Sequence, residues 1–253
     1  MIRFLDVVSF LLELSYVFIF FWILHTFLTL RKHWLIRILA FTVCNYLASV
    51  IIYPNDLANL LGALAGFVVY IVIFHCGSWI EKLSAVLVFY PALIAVNYLM
   101  MDIGKEIFYT SAGLPGGVSV EWNEELLLAS TGIHTVSLLL RLLFWLGTFL
   151  GLKKYLLAVK SGLMAKMWLM IDVFMAAPCI AVFTIILFLP EESAIAYPIC
   201  GASIFSSFGC IYLAAYICNA VQTAYRVQEL EMRQNYLNEK VQEEERVRAS
   251  SMI

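Results

Sequence analysis

Residues 196–220, AYPICGASIFSSFGCIYLAAYICNA, run without a break into residues 221–253, VQTAYRVQELEMRQNYLNEKVQEEERVRASSMI. The first stretch is apolar and exceeds the roughly 20 residues needed to cross a hydrocarbon core. The second is rich in Glu, Gln, Arg and Asn and holds neither Gly nor Pro, a composition that favours helix. One helix is therefore expected to leave a membrane and continue into water, reaching about 50 Å if helical throughout.

The rest of the chain agrees with a membrane setting. Of 253 residues, 63% are apolar and only 13% charged, with a mean hydropathy of +0.90. A soluble domain is about 45–50% apolar and 25% charged, so much of this surface must face lipid. The fold class expected is all-α, a polytopic membrane helix bundle of about seven spans followed by a cytoplasmic amphipathic or coiled-coil helix. The spans are placed at Val7–Leu30, Leu35–Ile52, Leu57–Cys76, Leu83–Met101, Leu126–Gly151, Met167–Leu189 and Ala196–Ala220. Residues 1–220 form the transmembrane domain and 221–253 the signalling helix. The first span ends in Arg31-Lys32-His33-Trp34 with no small-residue cleavage site, and reads as an uncleaved span.

Lys and Arg in short loops set the orientation. Arg31, Lys32 and Arg37 flank one loop, Lys82 lies in a second, and Lys153, Lys154, Lys160 and Lys166 crowd a third. These loops alternate in span order. The amino terminus is expected outside, the carboxyl terminus in the cytoplasm, and the chain in the plasma membrane. The segment Asp102–Glu125 is expected to be the longest outer loop, with Val118–Trp122 of alternating polarity and room for a short hairpin or an interfacial segment. The net charge of −2 suggests no nucleic-acid partner. The six cysteines lie in or beside apolar runs without a CxxC and read as reduced packing residues.

Ionisable side chains within spans are costly and mark either ties or sites. Glu13, His134, Arg141 and Asp172 are the candidates for a ligand-binding pocket or a switch, all expected to face the bundle interior, with Arg141 reaching towards Asp172. No spacing specifies catalysis, a cofactor or a metal site: His75-Cys76 is adjacent rather than spaced as ligands are. Gly62-x-x-x-Gly66 and the set Ala202, Ser206, Gly209 read first as ordinary helix-packing surfaces and second as a dimer interface. Pro91, Pro178 and Pro198 free backbone carbonyls and are candidate hinges.

In the tail, Val227, Leu230, Leu237 and Val241 fall at alternating a and d positions, with Gln234 at the intervening a. Glu229 with Arg233, and Glu244 with Arg248, are spaced i,i+4. The seam meets Glu244 and Arg248 beyond Val241, so as a homodimeric coiled coil it is marginal by itself.

The stretch Tyr225-Arg-Val-Gln-Glu-Leu-Glu-Met-Arg-Gln-Asn-Tyr236, followed by Val241-Gln-Glu-Glu-Glu-Arg-Val-Arg248, resembles the lead-in helix of peptide-pheromone receptor histidine kinases of the accessory-gene-regulator type, which carry a GHKL-type ATP-binding domain. The resemblance implies six or seven spans that bind a secreted peptide, and a last span that continues into a dimeric phosphoacceptor bundle. It also implies a His-Asp-x-x-Asn-His motif, an Asn-box and a Gly-rich ATP lid. None of these occurs in the 253 residues, whose four histidines all lie in the membrane body or its loops. The chain then corresponds to a sensor half, not catalytic as given, that leads towards a phosphoacceptor and ATPase region.

The first functional expectation is thus a membrane sensor module of two-component signalling. Its partners are lipid, a second copy through the C-terminal helix and an extracellular peptide, with a response regulator only where a kinase core is present. The alternative is a transporter or permease component whose intramembrane charges line a path. An intramembrane enzyme, or a scaffold that dimerises through its tail, comes after these.

Overall fold

The computed structural model describes residues 2–50, 56–112, 124–160, 163–188 and 194–251. They form seven α-helices: α1 (Ile2–Phe27), α2 (Trp34–Ser49), α3 (Leu57–Phe74), α4 (Trp79–Ala112), α5 (Glu124–Lys160), α6 (Ala165–Phe188) and α7 (Ala196–Ser251). All but α2 are long and apolar enough to cross a membrane.

The three basic loops come together at one end of the bundle, here termed the basic end. Arg31 N–H donates to Phe74 O at 3.1 Å and Cys76 N–H to Thr29 O at 2.8 Å, around a bridge between Leu30 and His75. The last turns of α1 and α3 therefore lie side by side, and α2 returns between them. The turn from α3 into α4 uses Gly77 at φ 127°, a left-handed conformation that suits glycine. Ser78 then caps α4: Glu81 N–H donates to its Oγ at 3.3 Å, and Ser78 Oγ donates to Glu81 Oε1 at 3.0 Å. Trp168, near the start of α6, packs edge-on against Phe27 at the end of α1, with ring centroids 5.4 Å apart. This brings the third basic loop to the same end.

Helix α4 is the axis of the bundle, packed by α3, α5, α6 and α7 and touching α1. Residues 88–97 are buried on every side, which explains why this span is apolar all round rather than striped. Phe20 of α1 wedges between Trp145 of α5 (4.8 Å) and Phe89 of α4 (6.4 Å). Near the far end, α4 and α5 approach closely at Gly104. A β-carbon there would meet Ser137 Cβ and N at 3.2 Å and Ile133 O at 3.3 Å.

Several expected boundaries change. The second span, placed at Leu35–Ile52, is helical over only Trp34–Ser49, or 16 residues, about 24 Å of helix. The expected loop Asp102–Glu125 begins later, because α4 stays helical to Ala112 and α5 starts at Glu124. The hairpin expected in Val118–Trp122 lies outside the described residues. Pro198 falls in the first turn of α7, where proline is tolerated, while Pro91 and Pro178 sit inside continuous helices. Of Gly62 and Gly66, only Gly66 supports a close approach: its β-carbon would lie 3.0 Å from Leu47 of α2, whereas one at Gly62 would meet nothing within 4 Å.

The small-residue set on α7 is also corrected. Ser203, Ser207, Cys210, Ala214 and Cys218 face the bundle and are buried. Ala202 is exposed, Ser206 and Gly209 are only half-buried, and a β-carbon at Gly209 would meet nothing within 4 Å. Sequence composition alone does not separate two small faces one residue apart on a helix.

Candidate functional site

A connected polar cluster crosses the bundle midway along α1, α4 and α5. It is organised around the carbonyl of Ala48, one of the last four of α2, which have no intrahelical partner. Tyr16 Oη donates to Ala48 O at 3.0 Å and Asn97 Nδ2 donates to the same oxygen at 3.1 Å. Ser49 Oγ donates to Asn45 O at 2.8 Å and to Tyr46 O at 3.1 Å. Ala48 is buried in the bundle, where a bare carbonyl would cost about 1–3 kcal/mol; side chains from α1 and α4 supply the donors that water would otherwise give.

Arg141 completes the cluster. It is 1% exposed, its Nη2 donates to Asn97 O at 3.3 Å, and its guanidinium lies beside the Tyr16 hydroxyl. Its Nε and the Asn97 Oδ1 have no partner within hydrogen-bonding distance. Glu13, one turn from Tyr16 on α1, is half-buried and electrostatically coupled to both Arg141 and His134. His134 lies two turns from Arg141 on α5. A further tie near the same end joins Ser9 Oγ and Thr135 Oγ1 at 2.7 Å.

Three of the four expected residues, Glu13, His134 and Arg141, thus share one electrostatic neighbourhood. Asp172 does not join them, and Arg141 turns to Asn97 and Tyr16 instead. Asp172 belongs to a separate buried site nearer the basic end, where Ser84 Oγ of α4 lies 2.5 Å from Asp172 Oδ1 and also approaches Ile80 O (3.0 Å) and Trp168 O (3.4 Å). The other carboxylate oxygen of Asp172 has no partner within hydrogen-bonding distance. The arrangement ties α4 to α6.

Tyr16 and Asn97 were not among the expected residues. Their signal was present: Asn97 is the one amide in the run Leu87–Met101, and an amide in a span needs a partner from another helix. A last polar contact sits at the far end, where Tyr197 Oη, in the first turn of α7, donates to Asp102 Oδ2 of α4. It pins the start of α7 to the central helix.

From that pin α7 runs as one helix of 56 residues, about 84 Å. Its first part packs on α4, α5 and α6. From Thr223 onward every residue whose side chain is described is exposed. No family model matches this chain, and no curated protein or solved structure matches it either.

Proposed function

We propose that this protein is a membrane sensor module that detects an extracellular ligand, a peptide by the resemblance of its tail, and passes the signal to the cytoplasm through α7. The observation that carries the reading is the unbroken course of α7, from the Tyr197–Asp102 pin through the bundle and into the solvated tail. A rigid helix transmits rotation or translation along its length, so a shift at its pinned end must reappear in the tail. The amino terminus lies outside and the tail inside, in keeping with the clustering of the basic loops at one end. The polar cluster around Arg141, Asn97 and Tyr16 then provides the switch, since it joins α1, α2, α4 and α5 through bonds that can exchange partners. For a ligand to act, it must favour one arrangement of these helices over another.

The test is to fuse residues 1–253 to the catalytic core of a peptide-receptor histidine kinase and follow autophosphorylation. A secreted peptide of the source organism should change the rate, and Tyr197→Phe should blunt the change. Silence towards every such peptide, together with ligand-coupled solute uptake into proteoliposomes, would favour a transporter instead.

A further inference from the structure

A recess opens on the outer flank of the bundle between α3 and α4, next to the basic end. Its volume is about 330 Å³, within the range of small-molecule sites. Val68, Ile71 and Val72 of α3 and Ile80, Leu83 and Val86 of α4 form its walls, and Trp79 and Lys82 stand at its mouth.

Lys82 is held in place there. Its Nζ donates at 3.2 Å to Val72 O, one of the last four carbonyls of α3, and lies 5.7 Å from the centroid of the Trp79 ring. An ammonium has three N–H donors, so the bond to Val72 leaves two for another oxygen. The neighbouring acid, Glu81, is turned back into the α3–α4 turn: Ser78 Oγ donates to its Oε1, and its Oε2 lies over Gly77. Arg31 is exposed beside the same turn, with its backbone N–H on Phe74 O.

We propose that this recess holds one anionic phospholipid, with an acyl chain along the α3–α4 groove and the phosphate on Lys82. Apolar walls that end at a fixed cation suit an amphiphile with a negative head, and basic pockets between spans bind such headgroups. Trp79, exposed at the start of α4, suits the headgroup level. From Trp79 to Val86 is about 10 Å of helix, well short of the roughly 30 Å hydrocarbon core. A chain from one leaflet fits that depth, whereas a helix of another protein would run past it. Bulk lipid touches every outer face of a membrane bundle; what is specific here is the choice of headgroup at one place. The bound lipid then ties α3 to the central helix. The inference needs only a membrane setting and stands apart from ligand sensing.

The test is native mass spectrometry of the full chain, purified in detergent and offered equal amounts of phosphatidylglycerol and phosphatidylcholine. The protein should retain phosphatidylglycerol at least fivefold over phosphatidylcholine. Lys82→Met should remove most of that preference, roughly fivefold for one lysine at an anionic headgroup, and Lys82→Arg should keep it. Lys166→Met, at the same end but outside the groove, should leave it unchanged. Val68→Trp, which fills the recess and leaves Lys82 in place, should lower retention of both lipids. Equal retention of the two lipids by the unaltered protein, or an equal fall in Lys82→Met and Lys166→Met, would overturn the proposal. So would displacement of the lipid by glycerol phosphate, which has no chain to fill the groove. A second measurement leaves Lys82 untouched. In vesicles, brominated phosphatidylglycerol should quench tryptophan emission more than brominated phosphatidylcholine, and Trp79→Phe should abolish the difference. A difference that survives Trp79→Phe would put the lipid elsewhere and overturn the assignment. None of these readouts involves a peptide or a kinase, so their failure is distinct from failure of the sensor reading.

Discussion

Replacing Tyr16 by Phe and Asn97 by Leu, singly and together, tests whether α2 ends within the bundle because two side chains satisfy the Ala48 carbonyl. Tyr16→Phe removes one donor and leaves the Asn97 bond at 3.1 Å in place. It also removes the oxygen beside the Arg141 guanidinium. A buried hydrogen bond contributes about 1 kcal/mol net, more where a charge is involved, so a loss of about 1.5 kcal/mol is expected. Asn97→Leu removes the second donor but also deletes Asn97 Oδ1, a buried atom with no partner, and its cost should be nearer 0.5 kcal/mol. Either single change leaves Ala48 O with one donor. The double change leaves neither, and a stranded buried carbonyl costs roughly 1–3 kcal/mol more. The double variant should therefore lose about 3–5 kcal/mol, with a coupling of about 1–3 kcal/mol. Equilibrium unfolding of the purified protein in mixed detergent micelles measures all four corners of the cycle. Additivity to within about 0.5 kcal/mol would refute the reasoning.

Other substitutions probe the remaining contacts. Gly104→Val should destabilise by about 1–3 kcal/mol in the same assay, since its side chain would press on the Ser137 backbone, while Gly62→Ala, facing open space, should be neutral or slightly stabilising. Ser84→Ala should cost about 1–3 kcal/mol by stripping Asp172 of its hydroxyl, and pairing it with Asp172→Leu should recover much of that loss. Tyr197→Phe, at a half-exposed contact, should cost under about 1 kcal/mol in stability yet increase hydrogen exchange in the first turns of α7.

Much of the architecture was legible in the residues. Long apolar runs located the helices, and the alternation of basic loops foretold the common end that the Leu30–His75 bridge and the Phe27–Trp168 contact display. The charged tail declared itself by composition. What was hidden depended on rotation and length. Residues 50–52 are apolar, so hydropathy could not end α2 at Ser49; the end is defined by donors that arrive from Tyr16 and Asn97, far away in sequence. The charges drew attention to Arg141 and Asp172, but opposite charge does not make a pair when Asn97 lies nearer to one and Ser84 to the other. On α7, only the contacts with α4, α5 and α6 show that Ser203 faces inward and Ala202 outward.

In the proposed reading α7, one continuous helix, runs from the outer face to the cytoplasm. This course is tested most directly by thiol labelling of intact cells in a Cys76→Ser background, since Cys76 is the exposed native thiol. A membrane-impermeant reagent should label Ala194→Cys, just before α7, from outside, and Glu239→Cys in the tail only after the membrane is opened. Labelling of Glu239→Cys in sealed cells, or of both positions from the same side, would contradict the account.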